Sequence, residues 1–336
     1  MKATCFVCGL MGTAVLLGAA PAANRNQDRE PQRIQTSQPI LTEAEFARMF
    51  ERVSNWGRWG KDDQRGTLNL LTAEKRKQAA AAVKSGISVS LSHPVLEGTA
   101  PDIAWAFSKL NRGNKLVFES VHGGWMSHVD ALCHMAYKGK VYNGLSRAEI
   151  DGEQGCSKLG LDVYRDGIVT RGVLIDIPRL NGLPWLEPGT PVTLQDIQAW
   201  EKKTGVKVLP GDAVFLRTGK WARRAALGPI KTGLGTTGPD AGWHWSVIPW
   251  FKAHDVAVIA DDGPNDVRPP GAEPGVGLPV HIAAIAALGA VVLDGQDLEA
   301  AAELAAKLDR WIFMMTAAPP LIVGGSGAPI NVTATF

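Results

Sequence analysis

The chain has 336 residues, of which 45% are hydrophobic and 20% are charged, and its formal net charge at pH 7 is +2. Acidic and basic residues are interspersed in this ordinary globular composition, which gives no support to a nucleic-acid-binding protein. The length allows two domains, but it also fits one α/β domain of roughly 250 to 300 residues.

The first 23 residues have the order of a secretory signal peptide. Lys2 supplies a positive charge, residues 5–20 form an apolar run of small residues, and residues 20–23 resemble a cleavage site. The apolar run is short and Gly-rich for a membrane span, although an uncleaved anchor is the alternative. We therefore expect a periplasmic or secreted protein that has no membrane partner once the signal is cleaved.

The polar residues 24–45 are predicted to be a linker, and residues 46–336 to be one domain. Apolar periodicity and capping residues predict a series of helices and strands in this domain. The expected helices are 43–53, 72–84, 193–204, 279–288 and a last one capped by Asp297. The expected strands are 87–91, 172–177, 213–217, 256–260, 290–293 and 311–315.

Three of the seven histidines fall within thirteen residues, at positions 122, 128 and 134, together with Asp130. His128 and Asp130 are two residues apart, so on an extended strand both side chains point to one face and can meet one divalent ion. His134 could approach the same site from a turn. Imidazole and carboxylate ligands suit Zn²⁺ or Mn²⁺. The alternative is that these histidines satisfy local backbone groups.

Residues 124–134, GWMSHVDALCH, resemble the motif H-x-G-T-H-x-D-x-P-x-H of the cyclase family of metal-dependent hydrolases, which includes kynurenine formamidases and isatin hydrolases. Three motif positions depart from the family, because Gly124, Met126 and Leu132 replace a His, a Gly and a Pro. His122 could replace the missing first His. Stretches at 59–69, 139–144 and 210–219 also resemble the family, and the similarity covers roughly residues 55 to 330.

The resemblance implies a swivelling β/β/α fold, which is a single mixed α+β domain with a mixed sheet core flanked by helices. It implies that a divalent metal, Zn²⁺ or Mn²⁺, is bound by His128, Asp130 and His281. Asp294 and His122 are further candidate ligands, and His134 would be the general acid/base. Because family members are dimers or tetramers, we also expect a homodimer or a homotetramer.

The expected function is hydrolysis of a C–N bond in a small amide, cyclic amides included, by metal-activated water. A histidine such as His134 can take the proton of the water and return it to the leaving nitrogen. One alternative is a lactone or ester hydrolase, or a cyclase that runs the condensation. Another is a secreted small-molecule or metal-binding protein that has lost catalysis, which Gly124 favours.

Three further residues are candidates for substrate binding. Trp59 and Trp243 are candidates to line an aromatic pocket, although the core is the more expected place for them. Asp261 ends an apolar strand, where functional carboxylates often lie in α/β proteins, but it could also cap a turn. The stretch 233–238 matches G-x-G-x-x-G without a preceding strand, so a nicotinamide cofactor is not expected.

Two other features concern Cys and Gly. Signal cleavage would leave Cys133 and Cys156, which could form one disulfide in an oxidising compartment. Because Cys133 lies inside the His/Asp segment, we favour a buried free thiol there. Residues 324–328, GGSGA, nearly match a nucleophile elbow but lack its final Gly.

Overall fold

The computed structural model describes Met1 and residues 40–95, 107–122, 126–229 and 238–336. The predicted signal peptide, Gly124 and most of the Gly-rich stretch 233–238 lie outside these residues. Helix α1 begins at Glu43, inside the stretch that we predicted to be a linker. Within the described ranges, no helix has the length and apolar character needed to cross a membrane.

Three helices begin directly after the capping residues predicted for them, Thr42, Thr72 and Thr193. Thr42 Oγ1 accepts a hydrogen bond from Glu45 N at 3.2 Å, and Glu45 Oε2 accepts one from Thr42 N at 3.0 Å, which is a capping box. The helices are α1 (Glu43–Val53), α2 (Ala73–Ala81), α3 (Arg147–Ile150), α4 (Ile177–Leu180), α5 (Leu194–Thr204), α6 (Lys220–Leu227), α7 (Ile248–Ala253), α8 (Pro279–His281), which continues as a π-helix (Ile282–Leu288), and α9 (Glu299–Leu308).

The strands of the described residues form one mixed sheet and three small two-stranded sheets. The large sheet has the order β1-β15-β13-β7-β9-β11-β12-β4-β14. The strands are β1 (Ser88–Ser90), β2 (Phe107–Leu110), β3 (Lys115–Phe118), β4 (His128–Asp130), β5 (Asp151–Gly152), β6 (Gly155–Cys156), β7 (Ile168–Asp176), β8 (Pro191–Val192), β9 (Ala213–Arg217), β10 (Gly242–Trp243), β11 (Val258–Asp261), β12 (Val291–Asp294), β13 (Ile312–Ala317), β14 (Gly327–Pro329) and β15 (Thr333–Thr335).

The middle of the large sheet is parallel and its two sides are antiparallel. Four neighbouring strands, β7, β9, β11 and β12, run parallel to one another. Strand β4 runs antiparallel to both of its neighbours, β12 and β14. Helices α2 and α5 pack on β7, and buried apolar residues fill the layers between sheet and helices. This is the mixed sheet flanked by helices that we predicted.

Several predicted boundaries differ from the observed ones. Helix α2 ends at Ala81 rather than at Lys84, and β7 begins four residues earlier than the strand predicted from residue 172. Asp297 is not the N-cap of α9, because Leu298 holds that position. The Asp297 carboxylate nevertheless accepts a hydrogen bond from Glu299 N at 3.2 Å, so it still satisfies a free amide in the first turn.

The preference for a free thiol at Cys133 is wrong, because Cys133 and Cys156 form a disulfide. The bond joins the turn after β4 to strand β6. Both cysteines are buried, and Cys133 N also donates to Leu159 O at 3.1 Å. The proximity that permits the bond comes from the packing of residues 156–159 against that turn, which the local sequence around Cys133 does not reveal.

Candidate metal centre

Strand β4 and its neighbour β12 place three candidate ligands on one face of the sheet. His128 and Asp130 alternate with Val129 along the strand, and Asp294 lies directly opposite His128 in the antiparallel register. Opposite residues in such a pair share a face of the sheet. As a result His128 Nε2 lies 3.6 Å from Asp130 Oδ1 and 3.5 Å from Asp294 Oδ2.

The end of α8 adds a second histidine to this group. His281 Nε2 lies 2.9 Å from Asp294 Oδ2 and 3.8 Å from Asp130 Oδ2. The other ring nitrogen, Nδ1, lies 2.7 Å from Asp266 Oδ2. The Asp266 carboxylate also accepts hydrogen bonds from the backbone amides of Val280 and His281, at 2.8 and 3.1 Å. Asp266 therefore holds both the backbone and the ring of His281.

His122 and His134 approach Asp130 from the other side. His122 Nδ1 lies 3.0 Å from Asp130 Oδ1, and His134 Nε2 lies 3.9 Å from Asp130 Oδ2. The two imidazole rings stack with their centroids 3.8 Å apart and their planes 9° from parallel. The backbone of His134 is fixed by Arg147, whose guanidinium donates to His134 O at 2.8 Å.

The hydrogen bond of the His128 ring assigns its tautomer. His128 Nδ1 lies 2.7 Å from the carbonyl oxygen of Met126, which can only accept, so Nδ1 carries the proton. The lone pair of Nε2 then faces Asp130 and Asp294. Metal-binding histidines have this arrangement, in which the ring nitrogen that does not bind the metal donates a hydrogen bond to a carbonyl or a carboxylate.

The carboxylate of Asp130 lies at the centre of the group and is 1% exposed. Neither of its oxygens has a hydrogen-bond partner among the described residues. Burying a carboxylate without a donor or a cation is costly, so such groups are normally paired or bound to metal. Two groups of ligand atoms are close enough to hold an ion, since the atoms within each group lie within 4.8 Å of one another: His122, Asp130 and His134 in one, and His128, Asp130 and Asp294 in the other. The residues present therefore fit a divalent metal.

The surrounding charges set the protonation of these groups. Burial acts to raise the pKa of Asp130, but the nearby His134, His122 and His128 outweigh it and hold this pKa well below its usual range. Burial lowers the pKa of the His134 imidazole to about 4, so this ring is neutral at neutral pH. Burial also acts to lower the pKa of His281, but Asp294 and Asp266 outweigh it and raise the pKa well above its ordinary value. A metal ion at Nε2 would take the place of that proton.

The arrangement of strands and ligands can be compared with known proteins. The Cyclase family model matches residues 89–265, which is more than half of the chain. The chain belongs to the cyclase family. No curated protein matches it.

One solved structure supports the fold class, and two others are similar over most of their length. A crystal structure described as a novel cyclase is 27% identical, with a TM-score of 0.70, and the match covers 85% of this chain and 99% of that one. The predicted fold class is confirmed. Isatin hydrolase A from Labrenzia aggregata, bound to benzyl benzoate, is 19% identical with a TM-score of 0.48, and the match covers 80% and 98% of the two chains. Isatin hydrolase A from Ralstonia solanacearum is 17% identical with a TM-score of 0.49, over 78% and 95%.

The three residues predicted to bind substrate lie in different surroundings. Trp243 is fully buried, and its ring packs edge-on against Phe251 in the core. Trp59 is half-buried, with the guanidinium of Arg58 4.6 Å from its ring centroid. These described ring contacts are with Arg58 and Phe251, not with the His and Asp group.

Asp261 is also fully buried. Its Oδ1 accepts hydrogen bonds from Gly263 N and Asn265 N, at 2.9 and 2.8 Å, which is the turn-capping role that we considered. Burial, followed by the charges of Asp294 and Asp262, raises the pKa of Asp261 well above its ordinary value. The turn that it holds leads directly to Asp266.

Sequence analysis missed Asp266, Asn265 and Arg147 in this cyclase-family centre. Asn265 Nδ2 donates to Asp294 Oδ1 at 2.5 Å and to Leu293 O at 3.0 Å, so it orients one of the candidate ligands. Asp266 lies fifteen residues before His281, in a loop whose sequence has no spacing typical of metal ligands. The only available indication was its place after the strand that ends at Asp261.

Proposed function

We propose that the chain is a metal-dependent hydrolase that cleaves a C–N bond of a small amide, open or cyclic. The observation that carries the proposal is the buried Asp130 carboxylate, which has no hydrogen-bond partner among the described residues and is surrounded by imidazole nitrogens and by Asp294. A divalent metal such as Zn²⁺ or Mn²⁺, when bound there, would acidify a water molecule and polarise the substrate carbonyl.

Four side chains would hold the metal: His128, Asp130, His281 and Asp294. Their two carboxylates would offset the charge of a divalent cation. Asp266 and Met126 O would keep the rings of His281 and His128 turned so that each Nε2 faces the centre. Because these partners are fixed by backbone hydrogen bonds, the donor set is organised before any ligand arrives.

His134 would be the general acid/base. Its Nε2 faces the carboxylate of Asp130 from 3.9 Å, and the side chain is 24% exposed, so it can contact both the centre and an incoming substrate. The neutral ring at neutral pH can accept the proton of the attacking water and return it to the leaving nitrogen. An amide nitrogen is a poor leaving group, so this second transfer matters more for amides than for esters.

The test is a His134→Ala protein that is folded and carries the metal content of the wild type. We expect kcat for amide hydrolysis to fall by about 10²- to 10⁴-fold, which is the usual contribution of a positioned acid/base. His254→Ala is the matched control, because the ring of His254 bonds to Trp250 O on α7. Full activity of His134→Ala would overturn the role of this residue.

A substrate panel separates the alternatives. Faster cleavage of lactones or esters than of matched amides would replace the amide assignment with an ester one. Condensation of the open acid would favour a cyclase. A protein that binds metal but turns over none of these compounds would favour a binding protein.

A further inference from the structure

A β-turn that directly follows β4 ends at His134. His134 N donates a hydrogen bond to Ala131 O at 2.9 Å, which is the bond that closes a four-residue turn. Leu132 and Cys133 are the two central residues of the turn, and both are buried. The conformation of this turn therefore sets the direction in which the His134 imidazole leaves the backbone.

The second residue of the turn is Leu132, at the position where the family motif has a proline. Proline is favoured at the second position of a turn because its ring fixes φ at about −65°. Leucine has no such restriction, so in this chain the constraint on the turn has to come from outside it. The third residue, Cys133, supplies a covalent one through its disulfide to Cys156.

The segment after Cys156 packs on the turn in an irregular conformation. Leu159 O accepts a hydrogen bond from Cys133 N at 3.1 Å, and Leu159 itself has a φ of 64°. A left-handed conformation is unfavourable for leucine and persists only where its surroundings hold it. Cys156 N donates to Gly324 O at 2.8 Å, so one end of the segment is tied to the loop before β14. The disulfide joins this anchored end to the turn.

The contacts of the His134 ring are looser than those of the turn. The ring stacks on His122 with the centroids 3.8 Å apart, and its Nε2 lies 3.9 Å from Asp130 Oδ2, which is too far for a hydrogen bond. Arg147 donates to His134 O and not to the ring. Because none of these contacts is a hydrogen bond to the ring, the position of the ring follows that of the turn.

From these contacts we infer that the disulfide between Cys133 and Cys156 positions the His134 imidazole for proton transfer. The two cysteines are positioning residues that act through the turn. The inference rests on the proposed function for the role of His134, but the position of the ring can be measured without a substrate. A misplacement of about 1 Å can cost about 100-fold in rate, so the fixation of this turn bears directly on kcat.

The first measurement is an NMR spectrum of the full-length protein, labelled with ¹³C at Cε1 of its histidines, in the presence of Zn²⁺. The His134→Ala spectrum assigns the His134 signal. In the wild type the stacked His122 ring should shift the His134 Cε1 proton upfield, because a proton over the face of an aromatic ring is shielded. In Cys133→Ala/Cys156→Ala we expect this proton to move downfield, towards the value of a free imidazole. An unchanged signal would overturn the inference.

Ile175→Ala is the matched control for lost stability. Ile175 is fully buried in β7, four strands from β4 in the order of the sheet, so its truncation destabilises the core without touching the turn. Its His134 signal should match that of the wild type. The same downfield shift in this control would show that the signal reports stability, and the inference would be wrong. Circular dichroism establishes that each variant is folded.

The second measurement is kcat for the amide that the wild type cleaves fastest in the substrate panel. We expect Cys133→Ala/Cys156→Ala to lower kcat by at least about 10-fold and to bind Zn²⁺ as tightly as the wild type. In a His134→Ala background, loss of the disulfide should lower kcat no further, since its effect passes through His134. A further fall of equal size in that background would contradict the inference.

Failure of the inference and failure of the proposed function give different results. If the wild type cleaves amides and the double cysteine variant keeps its kcat, the proposed function stands and the inference is overturned. If the wild type cleaves none while the NMR signal depends on the disulfide, the proposed function is overturned and only the positioning of the ring is retained.

Discussion

At the scale of single residues, the centre depends on side chains that touch the ligands rather than on the ligands alone. His281 is held by Asp266 through its ring and its backbone amide. Asp294 is oriented by Asn265. Such partners select the tautomer and direction of each ligand, so their loss weakens metal binding without removing a metal bond.

Asp266→Asn tests this dependence. The amide keeps the size of the carboxylate but removes its charge and one acceptor, so His281 loses the partner that fixes the proton on Nδ1. We expect the affinity for Zn²⁺ to fall by about 10- to 100-fold, as measured by chelator competition. Asp62→Asn, in an exposed loop, is the control.

A lower melting temperature with unchanged metal affinity would contradict this role. Asp266 would then serve the backbone of α8 alone, through its hydrogen bonds to Val280 N and His281 N.

At the scale of elements, the turn after β4 is tied to the segment that follows α3. The disulfide joins Cys133 to Cys156, and Arg147 of α3 donates to His134 O. The closed loop spans a sequence separation of 23 residues. Crosslinks of this span restrict the unfolded chain and typically stabilise a protein by about 3 kcal/mol.

The double variant Cys133→Ala/Cys156→Ala should therefore have a free energy of unfolding about 3 kcal/mol lower than the wild type, measured by urea denaturation without reductant. Dithiothreitol should destabilise the wild type to the level of the variant and leave the variant unchanged. Equal stability of the two proteins without reductant would show that the crosslink contributes nothing.

At the scale of the whole molecule, the candidate centre joins segments that are far apart in sequence. Its residues come from β4 and the segments on either side of it, from the end of β12 and from the end of α8. A metal that binds only the folded chain stabilises it by mass action, by about 2.7 kcal/mol when its free concentration is about 100 times Kd. Without the metal, the carboxylates of Asp130 and Asp294 remain buried close together.

Metal removal should accordingly lower the melting temperature. We expect chelation of the wild type by EDTA to reduce it by several degrees, and added Zn²⁺ to restore it. His128→Ala, which lacks a central ligand, should respond to neither reagent. A wild type whose melting temperature is unaffected by both would contradict a structural contribution of the metal.

Export and homo-oligomer formation remain predictions at this scale. The signal peptide lies outside the described residues. The disulfide is compatible with an oxidising compartment, where such bonds form and persist.

The sequence by itself determined several of the elements and the first pair of candidate ligands. Local rules were sufficient for α5, which begins after Thr193 and ends before Gly205, and for β9, whose bounds match the prediction. The two-residue period of a strand placed His128 and Asp130 on one face, and they lie there. The resemblance to the family added His134, His281 and Asp294, which the structure brings to the same group.

Only the tertiary structure decided which distant groups meet that face. Asp266, Asn265 and Cys156 have no local pattern that links them to His281, Asp294 and Cys133. Their roles arise from strand register and from the packing of loops between strands, which bring residues far apart in the chain within a few ångströms. The tertiary structure also decided which side chains are buried. The sequence around Trp243 left both a pocket and the core open, and the ring packs in the core. Local propensity acts over a few residues, whereas this centre is assembled by contacts that span most of the domain.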